Sequence, residues 1–291
     1  MTPRDRVPYS AIVDRPPLPL PDGKRMALWV IVNVEDWSIE RPMPRAVLSP
    51  PMGQPLQPDI PNWSWHEYGM RVGFWRLLET LERFDMGVTL AINGVVCETY
   101  PRVAEAALNA GWEFMGHGFE QQPMHKVEDQ VDAIARTLRA IEDFTGKRPA
   151  GWESPGLTET YDTADLLKAA GVDYVADWVM DDQPFEIATK HGPLISIPYT
   201  VETNDIPMML LQSHASEEWL TRGRDQFDRL YRESADITRV MSISLHPYIT
   251  GAPHRIGYLE RLLEHIREHD DVAFWRGEQI ADWFRAVRSV D

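Results

Sequence analysis

Short apolar runs alternating with amphipathic stretches, sustained almost from end to end, constrain this chain more than any other feature. MALWVIVNV, directly after Lys24 and Arg25, is apolar nearly throughout, as a strand covered on both faces has to be. GVTLAI, WEFMGH, YVADWV, LISIPY, VMSISLH and VAFW follow as further strand-like runs. Helical patterns lie between them. Within Glu67–Phe84 the residues Phe74, Trp75, Leu78 and Leu81 recur at helical spacing, and Val127, Val131, Ile134, Leu138 and Ile141 mark one face of a helix stopped by Gly146. Pro101–Ala110, TADLLKAAG with its closing Gly171, Glu217–Tyr231 and Arg255–Glu268 keep the rhythm. About seven strands alternating with helices predict a largely parallel sheet, and 291 residues suit a closed or nearly closed barrel in one domain. A doubly wound open sheet is the alternative. No glycine pattern of the nucleotide-binding kind follows the early strands.

Residues 1–25 are rich in proline and read as an arm leading into a single barrel domain over residues 26–291. A second proline-rich segment, Arg41 to Pro61, is too long to be idle in a compact domain and is expected to wall a pocket or make a subunit contact. A net charge of -16 repels phosphate backbones and anionic headgroups, and no Lys/Arg run offsets it. Nucleic-acid and membrane partners are therefore not expected, and a small-molecule substrate is. The early charges and prolines do not make a secretory signal, no apolar stretch reaches the roughly 20 residues of a membrane span, and Cys97 has no intrachain partner. These features point to the cytoplasm. Cys97, in GVVCETY, reads as a buried cysteine rather than a nucleophile.

In a parallel barrel the chemistry gathers where strands end. Glu35 and Asp36 close the first strand, His117 closes WEFMGH, Asp177 and Asp181 follow YVADW, and His246 closes VMSISLH. Amide hydrolysis needs a base for water, a donor for the carbonyl oxygen and an acid for the departing nitrogen, and this set holds candidates for each. Of Glu35 and Asp36 one would act as base and the other would hold a metal; the plainer alternative is a solvated strand end with Asp36 capping a turn. His117, between glycines, would ligate a metal or bind substrate, or serve structurally. His246, with Pro247 behind it, is placed as general acid, and Asp181 joins the catalytic candidates. Trp37, Trp63, Trp65, Trp152 and Trp178 either line a pocket or pack the core.

NVEDW, GHGFEQ and SLHP resemble the paired-acid, metal-histidine and final leucine-histidine motifs of NodB-type polysaccharide deacetylases. RDRVPYSAIVDRPP, HEYGMRVGFWRLLETLERF, AAGWEFMGHG, IPYTVETNDI and HPYITGAPHRIGYLERLLEHI followed by GEQIADW are similar to the allantoinase branch of that superfamily. The resemblance implies a distorted (β/α) barrel, Glu35 as base, Asp36 and His117 in a metal or substrate site, His246 as acid, and assembly as a dimer or tetramer. Two departures matter. The place of the second metal histidine holds Gln121, so zinc or another divalent metal would need His125 beside Asp36 and His117; otherwise hydrolysis is metal-free, with Glu35, His117 and His246 orienting water and substrate. Where deacetylases carry an arginine, GWESPG carries Glu153, which with Trp37, Gln121, Trp152 and Trp178 is expected to meet substrate. The implied activity is hydrolysis of a non-peptide carbon–nitrogen bond in an amide, imide or ureide. N-deacetylation of an amino sugar or oligosaccharide and a non-catalytic ligand-binding barrel are the alternatives.

Overall fold

The computed structural model describes residues 1–288. The strands are β1 (Met26–Val34), β2 (Val88–Ile92), β3 (Glu113–Gly116), β4 (Gly151–Trp152), β5 (Tyr174–Val175), β6 (Phe185–Thr189), β7 (Gly192–Ser196), β8 (Arg239–Leu245) and β9 (Val272–Phe274). They form one sheet in the order β6-β7-β5-β4-β3-β2-β1-β8, with β9 paired to the start of β1. All pairings are parallel except the β6–β7 hairpin. Helices fill the crossovers, so the expected distorted (β/α) barrel is what forms. Instead of a ladder between β8 and the β5–β7 edge, single contacts bridge the gap. The Val240 amide donates to the Asp182 carbonyl, and the Thr200 and Ser242 side chains each accept the other's backbone N–H.

All seven apolar runs contain strands. Missing from the sequence reading are β4, only two residues long, and β6, whose exposed face carries no long apolar run. The helical pattern from Glu67 begins earlier, at Ile60, and passes through a wide turn at Gly69–Gly73 into Phe74–Arg83. Gly146 ends helix Gln130–Thr145 in the left-handed conformation that glycine adopts without strain.

Strand parity organises the core. On β1, Ala27, Trp29 and Ile31 face the barrel interior, whereas Met26, Leu28, Val30, Val32 and Val34 face the helices. The same alternation puts Thr89 and Ala91 of β2, Met115 of β3 and Val240 of β8 inside. Continued to the C-terminal ends, it carries Asn33, Glu35, Asn93, His117, Glu153 and His246 inward. It turns Asp36, Trp152 and Asp177 outward.

The opposite end of the barrel is closed by a polar layer. Trp29 Nε1 donates to Thr89 Oγ1 (2.8 Å), Thr89 Oγ1 and Tyr174 Oη donate to Glu113 (2.8 and 2.6 Å), and the Glu278 amide donates to the same carboxyl (3.1 Å). Gly151 makes room for the Tyr174 ring, because a Cβ there would lie 2.1 Å from the ring. Burial pushes the Glu113 carboxyl up to about 7, since the surrounding donors offset only part of the lost hydration. A folded value raised above the ordinary 4.5 means stability is greatest below about 4.5 and falls as pH rises towards 7. Glu113→Gln imitates the protonated acid, with its amide facing Thr89. It is expected to raise stability at neutral pH by about 1–3 kcal/mol and to flatten the pH slope. Urea unfolding at mildly acidic and neutral pH checks this; a variant less stable than wild type at both would refute it.

Candidate active site

Glu35, His117 and His246 meet at the barrel mouth, each almost fully buried (2%, 2% and 3% exposed). His117 Nε2 lies 3.9 Å and His246 Nε2 3.7 Å from the same Glu35 oxygen, Oε1. Both separations exceed a hydrogen bond. His117 Nε2 is a buried atom with no protein partner.

Each imidazole is oriented from behind. His246 Nδ1 donates to Asp205 Oδ1 at 2.6 Å, while Asp205 Oδ2 accepts the His246 amide (2.8 Å) and the Thr250 hydroxyl (2.6 Å). His117 Nδ1 donates to the Glu153 carbonyl at 2.8 Å. Gly118, at a φ of 74°, turns the chain immediately after His117. Both Nε2 atoms therefore point at Glu35.

Glu35 is held by three donors: Gln121 Nε2 to Oε1 (2.8 Å), and Trp37 Nε1 (2.6 Å) and Tyr248 Oη (3.3 Å) to Oε2. Asn93 sets this arrangement. Its Nδ2 donates to Gln121 Oε1 (3.2 Å) and to the His117 carbonyl, while its Oδ1 accepts the Asp36 amide (2.9 Å). His66 stacks on Trp37 and bonds the Glu35 carbonyl through Nε2 at 3.0 Å. Asn93, Asp205, Tyr248 and His66 were missed in the sequence. Asn93 alone carried a signal there, as a polar residue of inward parity just past β2.

The charges are separated within a few ångströms. Burial alone would raise the Glu35 carboxyl, but His117, the charge of His246 and then Arg45 outweigh it and hold Glu35 well below the usual range. Burial raises Glu153 to about 6, only partly countered by His117 and His246. His117 is raised: burial lowers it, and Glu35 and Glu153 more than compensate. An ionised carboxylate and a carboxyl that keeps its proton to near neutrality thus flank one imidazole.

Above this centre lies a pocket of 810 Å³ lined by Asp36, Trp37, Arg41, Met43, Arg45 and Gln121, among others. Trp37 and Gln121 belong to both levels, forming the floor of the pocket and bonding the carboxylate beneath it. The start of the Arg41–Pro61 segment is one wall, tied across by Arg41 to Glu120 at 2.7 Å. Asn62 anchors the segment further on by accepting the Val47 and Leu48 amides.

The other sequence candidates lie elsewhere. Asp36 points outward into the pocket wall, where burial raises its carboxyl and Thr99 is its side-chain partner. His125 is exposed and lines a separate cavity. The set Asp36, His117 and His125 therefore does not assemble. Asp181 is bound by Arg15 of the arm at 2.7 and 2.6 Å. Its neighbour Asp182 bonds Val240, six residues before His246, so Asp181 stands roughly 20 Å down the barrel. Trp152 is a core residue, fully buried against Gly116, and Trp178 lines the same separate cavity as His125. Cys97 is partly buried, and burial pushes its thiol up to about 11, away from nucleophilic use at neutral pH.

Residues 65–175, which carry β2 through β5 with His117 and Glu153, match the sequence model of the polysaccharide deacetylase family. The solved structure of the allantoinase PuuE superposes with a TM-score of 0.85 at 28% identity, covering 96% of this chain and 98% of that one. A probable polysaccharide deacetylase from Pseudomonas aeruginosa gives 0.83 at 29%, with the same coverage. The peptidoglycan deacetylase of Helicobacter pylori is 26% identical over 251 residues, 73% of this chain and 84% of that one. These similarities make the chain a hydrolase acting on carbon–nitrogen bonds other than peptide bonds.

The deacetylase resemblance implies a divalent metal, and the donor set here does not fit one. Where a second histidine ligand would stand, Gln121 turns an N–H donor towards Glu35. Asp36 is directed away, and among the described residues no group of three or more His, Cys, Asp or Glu side chains is arranged to hold an ion. No helix of the described residues is long and apolar enough to cross a membrane.

Proposed function

We propose that this protein hydrolyses the carbon–nitrogen bond of a small linear or cyclic amide, imide or ureide without a metal. The observation that carries the reading is the convergence of two Nε2 atoms, at 3.9 and 3.7 Å, on one oxygen of a buried, ionised Glu35. In this reading a water among the three groups attacks the carbonyl carbon. Glu35 takes the water's proton, His117 Nε2–H donates to the developing oxyanion, and His246 Nε2–H protonates the departing nitrogen as the bond breaks. The steps are coupled. When His246 gives up its proton, one of the charges holding Glu35 down disappears, and the proton affinity of Glu35 rises as it is needed.

The pocket suits a compact substrate, since 810 Å³ falls within the range of small-molecule sites and its floor stands between bulk solvent and the reacting groups. Release of amine or acid from allantoin and a panel of cyclic imides tests the reading. No turnover of any of them would sink it. N-deacetylation of an amino sugar is the second reading, favoured by the family match and the peptidoglycan deacetylase relative. Acetate release from N-acetylglucosamine oligomers in place of imide turnover would select it. Under the first reading, turnover is expected to survive dialysis against dipicolinate and to gain nothing from added zinc. A loss restored by zinc would overturn the metal-free part.

A further inference from the structure

The parity that aims Glu153 into the barrel aims Asp177 out of it. Two residues beyond the outward-facing Val175, Asp177 enters a cavity of 660 Å³ between the end of β5, the turn at residues 155–161 and the amino-terminal arm. Leu157, Tyr161, Trp178 and Met180 give apolar wall, and two carboxyls, Asp177 and Glu159, stand among the polar groups with Arg6, His125 and Thr160. Asp177 Oδ1 accepts the Ser154 amide at 2.7 Å and Glu159 Oε1 accepts Trp178 Nε1 at 3.0 Å. Asp177 Oδ2 is buried with no protein N–H or O–H directed at it, in a side chain from a residue only 8% exposed.

Arg6 and Met1 of the arm also line this cavity. Arg6, the guanidinium on the cavity wall, is used up by Asp165 (3.0 Å to each oxygen) and by the Ala188 and Tyr161 carbonyls (2.9 and 2.7 Å). His125 is exposed at the rim. Burial raises Asp177 well above the ordinary carboxyl value, with the opposing Glu159 adding to it, and burial raises Glu159 as well. Burial and like charge together disfavour ionising both carboxyls at once.

We propose that this cavity is a second ligand site, for an organic ammonium whose cation is held by Asp177 and Glu159 and whose apolar body lies on Trp178 and Tyr161. A metal ion is a poorer occupant, because hard divalent cations need more oxygen ligands than this apolar cavity offers. An ammonium is matched by the two carboxylates as acceptors and by the aromatic walls as cation–π and apolar surface.

Phenethylammonium is the probe, titrated calorimetrically into the full chain at neutral pH in two buffers of different ionisation heat. Saturable binding at one site is expected, with proton release on binding. Its neutral isostere 2-phenylethanol is expected to bind at least about tenfold more weakly. Asp177→Asn and Glu159→Gln should each weaken the ammonium about tenfold or more. Glu159→Gln is the safeguard, since the Glu159 side chain accepts from Trp178 and anchors no backbone amide. No saturable heat at millimolar probe, equal affinity for the alcohol, or unchanged binding in Glu159→Gln would overturn the proposal.

Discussion

Glu35→Gln is expected to lower turnover of the responsive amide by about 10³-fold while leaving the fold intact. The amide is close in size to the carboxylate, but it cannot take a proton from water. It also puts an N–H₂ group among the Gln121, Trp37 and Tyr248 donors, all of which need an acceptor. Some local loosening follows, and circular dichroism with a thermal melt separates it from the chemical loss. Glu35→Asp keeps the charge and withdraws it by one methylene, so an intermediate loss is expected. The pH behaviour carries a second signature. Because Glu35 is held below its ordinary value, it contributes stability that is present above about pH 4.5 and lost as pH falls. Glu113 and Glu153, both raised, contribute in the opposite sense. Acid sensitivity should therefore be milder in Glu35→Gln than in wild type. Turnover within tenfold of wild type would remove Glu35 as the base, and the proposed chemistry with it.

The barrel and three of the residues at its mouth were legible because both follow from local rules. Apolar runs of strand length separated by helical periodicities imply parallel strands, and polar residues at the ends of those runs gather at one mouth. The choice between Glu35 and Asp36 stays open in the residues alone, because both are expected to reach the mouth from a frayed strand end, and strand parity in the structure separates them. Counting in twos from Trp29 through Ile31 and Asn33 places Glu35 inside, and the adjacent carboxylate must then face out. What could not be read were contacts made by chain segments distant in sequence. Asp205 lies 41 residues from the histidine it orients, in a loop with no periodicity. Asp181 reads as a strand-end acid only if the whole run YVADWV is strand. Only Tyr174–Val175 is strand, and the chain then descends the outside of the barrel to meet β8. The metal set failed for a related reason: it needed His125 to fold back across Pro123, and the short turn at Met124–Lys126 carries that imidazole to the rim of the other cavity.

Asp205→Asn is the other large effect, about 10³–10⁴-fold, the scale seen when the carboxylate behind a catalytic imidazole is amidated in an acyl-transfer triad. Asp205 accepts three donors: the His246 ring Nδ1–H, the His246 backbone N–H and the Thr250 hydroxyl. Asparagine has one oxygen for them. If that oxygen keeps the backbone N–H and the hydroxyl, the amide N–H₂ faces Nδ1 and forces the ring into the Nε2–H tautomer. The imidazole then loses the partner that stabilises its protonated form. It can no longer cycle between holding and giving a proton at Nε2, although its position hardly moves. A purely structural role for Asp205 predicts something else: lowered thermal stability with turnover falling in proportion to the folded fraction. The two are told apart by nitrogen-15 shifts of the His246 ring, which report the tautomer directly, and by whether turnover falls further than the folded fraction. A variant that keeps the Nδ1–H tautomer and loses less than about tenfold would leave Asp205 a packing residue. His246 would then have to be oriented for catalysis by its own backbone alone.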